Sequence, residues 1–496
     1  MAKRTAIIDI GSNSARMIIL ERTSRFGFYL IEEVKSRVRI GEGAYEHSGL
    51  LQPKAMERAY KALEEFLHIA RSLKVKKILC IATSALRDAP NKAEFKSHVK
   101  KSLGLDIKII DGKTEALLGG IAAANLLPIE EGITIDIGGG STELALIKNK
   151  QVVETLSFDL GTVRLKELFF DKGRSLKEAI AFIKGEFETL PPHFKHERVI
   201  GIGGTIRALS KAIMQKNGYP LDKLHAFEYR IKDEIKFIDK LIEAPVYKLK
   251  KFYIKKDRYD TIKEGSLIFR ELLKLLGAKE VITSGAGIRE GLFLKDLLRH
   301  QHYRFPANFQ PSVKSLQDRF CLDSKQSRCL YRLTKKIYAR LHIHFDPEKE
   351  FESVLLYAAK LVNLGIRIDF YEHHKHSAYI ILNDLDYGLT HHEIATIATL
   401  IRFHKKKLPS KSYVKDLSPL LPPIHILNWL SFILSLAEAI NKDRTCPDIE
   451  LFYEKMVLFI TTSKELYLAK EEIKSLEKPE PFALILKALP DGKLKA

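Results

Sequence analysis

A chain of 496 residues with 45% hydrophobic and 29% charged residues has room for about three domains of roughly 150 residues each and is too apolar to be a disordered protein. Its 82 Lys and Arg against 62 Asp and Glu leave a net charge of +20, which favours anionic partners. MAKRTAIIDIGS reaches an acidic residue too early for a signal peptide, 429–440 is too short to span a bilayer, and the four cysteines lack CxxC spacing. A cytoplasmic protein with no membrane partner, no disulfide framework and reduced thiols is therefore expected.

The first element is an apolar strand, Ala6-Ile7-Ile8, that ends on Asp9 and turns at once through Gly11-Ser12-Asn13. Glycine in such a turn can bring backbone N–H groups close to a ligand, and successive N–H groups there form an anion nest. Strands are expected again at 17–20 and 27–31, as a meander on a sheet edge. From 53 to 73, Ala55, Ala59, Ala62, Leu63, Phe66 and Ala70 recur at helical spacing. The strand at 77–82 then delivers Thr83, Ser84 and Arg87. Thr83 and Ser84 either face the same cleft as the first loop or cap the next helix, and in the second case Arg87 is a surface ion pair. After a strand at 105–110 and an Asp111-Gly112 turn, a helix runs from 114 to about 124 with Glu115 in its first turn. By position alone Glu115 reads better as a favourable partner of the helix dipole than as a base addressing a water molecule.

The second half repeats the opening plan. Ile133-Thr134-Ile135 leads into Asp136, Gly138, Gly139 and Gly140 make the turn, and Ser141-Thr142-Glu143 follow. Aspartate and phosphate repel unless a divalent cation lies between them, so Asp9 and Asp136 point to Mg²⁺ bridging carboxylate and phosphate oxygens. Neither turn is a Walker A or a dinucleotide GxGxxG fingerprint. The pair of loops predicts two similar half-domains facing each other across a cleft. A hairpin at 144–156 and helices at 163–170 and 175–190 come next. Gly201, Gly203 and Gly204 then form a third strand-to-glycine turn without a carboxylate, and 284–290 a fourth that opens onto a helix suited to an anion. From about Pro306 the pattern becomes almost wholly helical, at 354–362, 391–404 and 427–440, with a strand signal at 455–461. Basic clusters such as Lys405-Lys406-Lys407 are scattered, the pattern of a solvated surface, and nucleic acid is not the expected partner.

On the motifs IDIGSNSAR (8–16), ATSALRDAPN (82–91), IDIGGGSTE (135–143), GIGGTIRALS (201–210) and SGAGIREG (284–291), the chain resembles the exopolyphosphatase/guanosine pentaphosphatase (Ppx/GppA) family of the actin-like ATPase superfamily. The resemblance runs from Asp9 to about Gly291, and more loosely beyond. It implies two actin-like (ribonuclease H-like) α/β domains, 1–124 and 125–305, around a phosphate-binding cleft, and a C-terminal all-α HD-like domain at 306–496. The implied activity is Mg²⁺-dependent release of the terminal phosphate from polyphosphate or from the 5′ end of pppGpp, in a chain that the family would allow to form a homodimer. Glu115 matches the glutamate that activates or orients the attacking water, which reverses the preference drawn from position. Asp9, Asp136 and Glu143 match the acidic residues around the metal. Gly11, Ser12, Asn13 and Arg16 match the first phosphate loop, Thr83, Ser84 and Arg87 the segment reaching across it, and Gly138, Gly139, Ser141 and Thr142 the second loop, with Gly203 and Gly204 in the third. A kinase of the same superfamily and a non-catalytic polyphosphate or alarmone sensor are the alternatives. A sensor gains nothing from a water-positioning carboxylate.

The C-terminal part departs from the family pattern. Where HD-type members carry a His-Asp pair in AAxLHDIG, this chain has Val362-Asn363, so no second metal-dependent centre is expected, and His373, His374 and His376 read either as packing and hydrogen-bonding residues or, when protonated, as contacts for an anionic substrate.

Overall fold

The computed structural model describes residues 3–44 and 47–488 and divides into two compact units, 1–309 and 310–496. The first unit holds two mixed sheets of one design. In one, β1 (Arg4–Ile10), β2 (Ala15–Arg22) and β3 (Phe28–Ser36) form an antiparallel meander, and β4 (Lys77–Ala82) and β5 (Ile107–Ile109) add in parallel on the far side of β1, giving the order β3-β2-β1-β4-β5. The other uses β6 (Gly132–Ile137), β7 (Thr142–Lys148), β8 (Gln151–Phe158), β9 (Arg198–Ile202), β10 (Phe227–Arg230) and β11 (Glu280–Thr283) in the order β8-β7-β6-β9-β11, with β10 closing the edge antiparallel to β11.

The same residue logic builds both sheets. Ala6, Ile7 and Ile8 in β1 and Ile133 and Ile135 in β6 are fully buried, because inner strands covered on both faces must be apolar throughout. The edge strand β3 buries only Phe28 and otherwise mixes half-buried with exposed side chains, as one solvated face requires. The registers also agree. Asp9 pairs with Arg16 one step before the first turn, and Asp136 pairs with Glu143 one step before the second.

The helix Gly112–Leu126 runs across one expected boundary. A limit at 124 assigns it to the first domain, yet it packs on β7 and β8 of the second sheet. A Cβ on Gly112 would lie 2.1 Å from Ser157 Oγ, so the absence of a side chain there lets the start of this helix rest directly on β8. Gly203 and Gly204 do not form a loop of their own: they are the first residues of the helix Gly203–Lys216.

The second unit is mainly helical around Tyr338, Trp429 and Phe432. To the expected helices it adds a three-stranded sheet of β12 (Ile449–Glu454), β13 (Val457–Thr462) and β14 (Ala483–Ala488). Among the described residues no single helix is long and apolar enough to cross a membrane. The expectation of four reduced thiols is corrected: Cys329 and Cys446 form a disulfide with their Cα atoms 5.6 Å apart, while Cys80 and Cys321 are free. The partners are 117 residues apart, a separation at which no spacing rule predicts a pair.

Candidate active site

Each Asp-bearing strand turns through a short bond of its own making. Gly11 N–H donates to Ser14 O at 3.1 Å and Gly138 N–H to Ser141 O at 2.9 Å. Those two amides are therefore not offered to an anion, contrary to the expectation for Gly11 and Gly138. The amides of Ser12, Asn13, Gly139 and Gly140 have no backbone acceptor among the described residues. The two turns approach each other closely, since a Cβ on Gly139 would sit 3.4 Å from Ser12 Cβ. Ser12 Oγ also meets Ser84 Oγ at 2.9 Å, which places the 83–88 segment beside the first loop.

Four carboxylates gather beneath these loops. Glu115 is set by the helix Gly112–Leu126, whose start is fixed by the Asp111 side chain accepting from Thr114 N–H at 2.7 Å. Only 16% of the Glu115 side chain is exposed, and its Oε2 lies 3.5 Å from Arg87 Nη1. Burial raises its pKa well above the usual carboxylate range, and repulsion from Glu143, Asp9 and Asp136 adds to this while Arg87 opposes it. Burial likewise pushes Glu143 up to about 8, against hydrogen bonds from Ser141 and Ser157, and Asp9 up to about 6 against Arg289 and Arg16. Asp136 is raised by burial, with Arg207 and Arg16 holding it back. Glu115 stays in the first turn of its helix, and there burial and like charge outweigh what the helix dipole can contribute.

A positive wall stands against these acids. Arg289 Nη1 donates to Glu33 Oε1 at 2.9 Å, Arg207 Nε donates to Ser284 O at 2.8 Å, and the Arg258 guanidinium lies over Gly204. Burial and the repulsion of neighbouring arginines lower the pKa of Arg16, as they do that of Arg207. Of this wall only Arg16 was expected. Arg207 and Arg289 stand inside the quoted motifs GIGGTIRALS and SGAGIREG, where an arginine a few residues after a glycine turn was the available signal; Arg258 offers none.

The other expected residues sort as follows. Thr83 holds the N-cap position of the short helix Ser84–Asp88 but makes no side-chain cap bond, and both Thr83 and Ser84 are buried. Arg87 is not a surface ion pair, with 19% of its side chain exposed next to Glu115. Asn13 is exposed at the turn. Thr142 is corrected: it is fully buried and its hydroxyl donates to Leu160 O, so the side chain is committed to the fold. Ser141 is buried and bonds Glu143 rather than facing the cleft as a free hydroxyl.

The acids suit a hard divalent ion. Asp9 Oδ1 is buried without a hydrogen-bond partner, an arrangement that burial makes costly unless a cation is bound there. Asp9, Asp136 and Glu143 do not bring one oxygen each within 4.8 Å of one another, so they form no closed protein cage. An ion held by one or two carboxylates, with substrate phosphates and waters completing the shell, is how Mg²⁺ is usually bound.

Two sheets of the same strand order, each delivering an aspartate and a glycine turn to one cleft, define an actin-like phosphate-handling protein. The model of the Ppx/GppA phosphatase family matches residues 18–300, and that of Ppx/GppA phosphatase domain III matches 310–478. The chain belongs to the Ppx/GppA phosphatase family and is a phosphohydrolase. It is 26% identical over 427 residues to a guanosine-5′-triphosphate,3′-diphosphate pyrophosphatase of Pseudoalteromonas translucida, covering 83% of this chain and 82% of that one. A protein of the same name from Vibrio vulnificus is 28% identical over 418 residues, covering 82% and 81%. Among solved structures, the Aquifex aeolicus family member is 29% identical with a TM-score of 0.53, covering 61% of this chain and 100% of its own. An exopolyphosphatase from Cytophaga hutchinsonii, at 24% identity and a TM-score of 0.54 over 59% of this chain and 97% of its own, shares the fold.

Proposed function

We propose that this enzyme releases the terminal phosphate from inorganic polyphosphate or from the 5′ end of pppGpp by in-line attack of a water oriented by Glu115, with Mg²⁺ held by one or two carboxylates of the set Asp9, Asp136 and Glu143. The observation that carries this reading is the convergence of Glu115 with those three acids beneath the paired glycine loops. Phosphoryl transfer asks for positioning and charge stabilisation more than covalent chemistry. The loop amides of Ser12 and Gly139 hold the terminal phosphoryl oxygens, and the wall of Arg16, Arg207 and Arg289 binds the anionic remainder of the substrate. Glu115 accepts a proton from the attacking water, and the burial and neighbouring acids that raise its pKa make its ionised form a stronger base. Arg87, 3.5 Å away, fixes the orientation of that carboxylate. When bound, Mg²⁺ supplies neutralisation of the charge on the transferred group. The names of the two bacterial relatives support the pppGpp half of the reading.

The direct test compares kcat/KM on long-chain polyphosphate, short chains and pppGpp at one salt concentration, with no acceptor present. Phosphate release from at least one of them is expected; turnover that requires an acceptor hydroxyl would make the protein a kinase instead. If long polyphosphate tracks the basic surface that gives the chain its +20 charge, its KM rises steeply with salt and that of pppGpp rises less. Equal salt dependence would assign the charge to something other than substrate capture.

Stability should report the ion independently of turnover. A carboxyl whose pKa is raised by folding binds more protons in the folded than in the unfolded chain. Stability is therefore lost as pH climbs from the ordinary carboxylate range through the folded values, about 6 for Asp9 and about 8 for Glu143. A divalent ion bound by these groups counteracts that loss, so Mg²⁺ raises Tm over the chelator-treated protein by more at about pH 8 than at about pH 5. Equal increments at the two pH values would remove these acids from the ion site.

A further inference from the structure

The second unit contains a cluster that plays no part in the chemistry above. His373 opens the helix His373–Asp384, His404 follows the helix His391–Arg402, and Glu438 lies near the end of Ile424–Ile440. One ligand atom from each lies within 4.8 Å of the other two. His373 Nε2 is 3.3 Å from His404 Nε2, and His404 Nε2 is 3.0 Å from Glu438 Oε2. His404 is fully buried, His373 is 8% exposed, and the Glu438 side chain is 31% exposed.

The protonation pattern follows from the partners. His373 Nδ1 is 2.7 Å from Phe370 O, and His404 Nδ1 bonds Ile401 O. A carbonyl oxygen only accepts, so both Nδ1 atoms carry the proton and a neutral ring presents its Nε2 lone pair. Two ring nitrogens with lone pairs and a carboxylate oxygen then stand within 4.8 Å of one another. A single extra proton on His404 can be donated to Glu438 or to His373, leaving the other acceptor opposed. A cation serves all three. The spacing fits as well: at the usual metal–imidazole distance of about 2.0–2.1 Å, two nitrogens on a tetrahedral ion stand about 3.3 Å apart. The backbone carbonyls behind the two rings are the kind of outer partners that orient metal-bound histidines.

We infer that His373, His404 and Glu438 form a binding site for one divalent transition-metal ion of the Zn²⁺ type. Two imidazoles among three donors favour such an ion over Mg²⁺. His373 and Glu438 line a cavity of about 640 Å³ together with Asn363, Lys360 and Lys442. The open coordination positions face this cavity, where a water or an oxyanion completes the shell. Lys405 is a nearby positive charge that weakens cation binding, but its ammonium is directed away to Tyr371 O at 2.6 Å. None of the three ligands comes from the 358–365 segment, so the missing His-Asp pair does not bear on them. The proposed site gives His373 a ligand role in place of the packing role expected from the sequence; His374 and His376 lie outside the ligand set.

The test uses the full-length, untagged protein, freed of metal by chelator dialysis and kept in millimolar Mg²⁺ so that the oxygen-rich cleft of the first unit is saturated. Zn²⁺ is titrated against a chromophoric chelator, and Co²⁺ is added separately for its visible absorption. One Zn²⁺ per chain is expected, with a Co²⁺ spectrum indicating nitrogen and oxygen donors. Glu438→Gln, which preserves shape, and His373→Ala should each weaken Zn²⁺ binding about 100-fold or more. His376→Ala should leave it unchanged. Circular dichroism on each variant separates loss of the ion from loss of the fold, and if one ligand variant fails to fold the other reads the same site. No stoichiometric Zn²⁺ on the wild type, or Zn²⁺ binding that survives in a folded Glu438→Gln or His373→Ala protein, overturns the assignment.

Discussion

Glu115→Gln is expected to lower kcat by about 10²-fold or more while leaving KM nearly unchanged. The amide keeps the size of the side chain and a contact with Arg87 but cannot accept a proton from water. In the proposed mechanism substrate is bound by the loop amides and the arginine wall, none of which the substitution touches. Stability should move in the opposite direction from activity. In the folded protein the charged form of Glu115 is disfavoured by burial and by Glu143, Asp9 and Asp136, so a neutral amide relieves repulsion and Tm is retained or raised. An inactive variant that unfolds at lower temperature would indicate a structural role, and one with near-native turnover would remove Glu115 from the mechanism. Both readouts come from the same preparation, by steady-state assay and thermal melt.

Gly203→Ala is expected to reduce kcat by a comparable factor, through geometry, by displacing Asp136 without changing its chemistry. Gly203 has φ +81, and a Cβ there would lie 2.2 Å from Asp136 Oδ1. That is roughly 1 Å inside contact distance, and displacements of about 1 Å at a reacting centre can lower rates about 10²-fold. The left-handed backbone conformation adds a destabilisation of about 1 kcal/mol for alanine. Gly218→Ala separates the two effects. Gly218 has φ +58 with nothing within 4 Å of the added Cβ, so it carries the backbone strain alone and should keep its kcat. Wild-type turnover by Gly203→Ala would mean that Asp136 tolerates displacement and is not a tightly held ligand.

Much of the first unit is legible because its signals are local. An apolar run ending in Asp and a glycine turn specifies strand, carboxylate and loop within about ten residues, and its second appearance at Asp136 announces the duplicated sheet. The helix at Pro53–Ser72 and the strand at Lys77–Ala82 follow from periodicity in the same way. Glu115 was legible as a residue but not in its role: position in a first helical turn suggests a dipole partner, and only the packing of Gly112 against Ser157 carries the carboxylate into the company of Glu143.

What the sequence by itself determined is therefore most of the elements of the first unit, their order, and the carboxylates that end β1 and β6, all of which depend on neighbours a few residues apart. The tertiary structure alone decided which amides the turns consume, that Thr142 serves Leu160, that Arg16, Arg207, Arg258 and Arg289 come to one side of the cleft, and that Cys329 meets Cys446. It also brought His404 and Glu438, which no motif singled out, to His373. These outcomes depend on how sheets and helices far apart in the chain pack, and side-chain chemistry carries no short-range pattern from which that packing can be read.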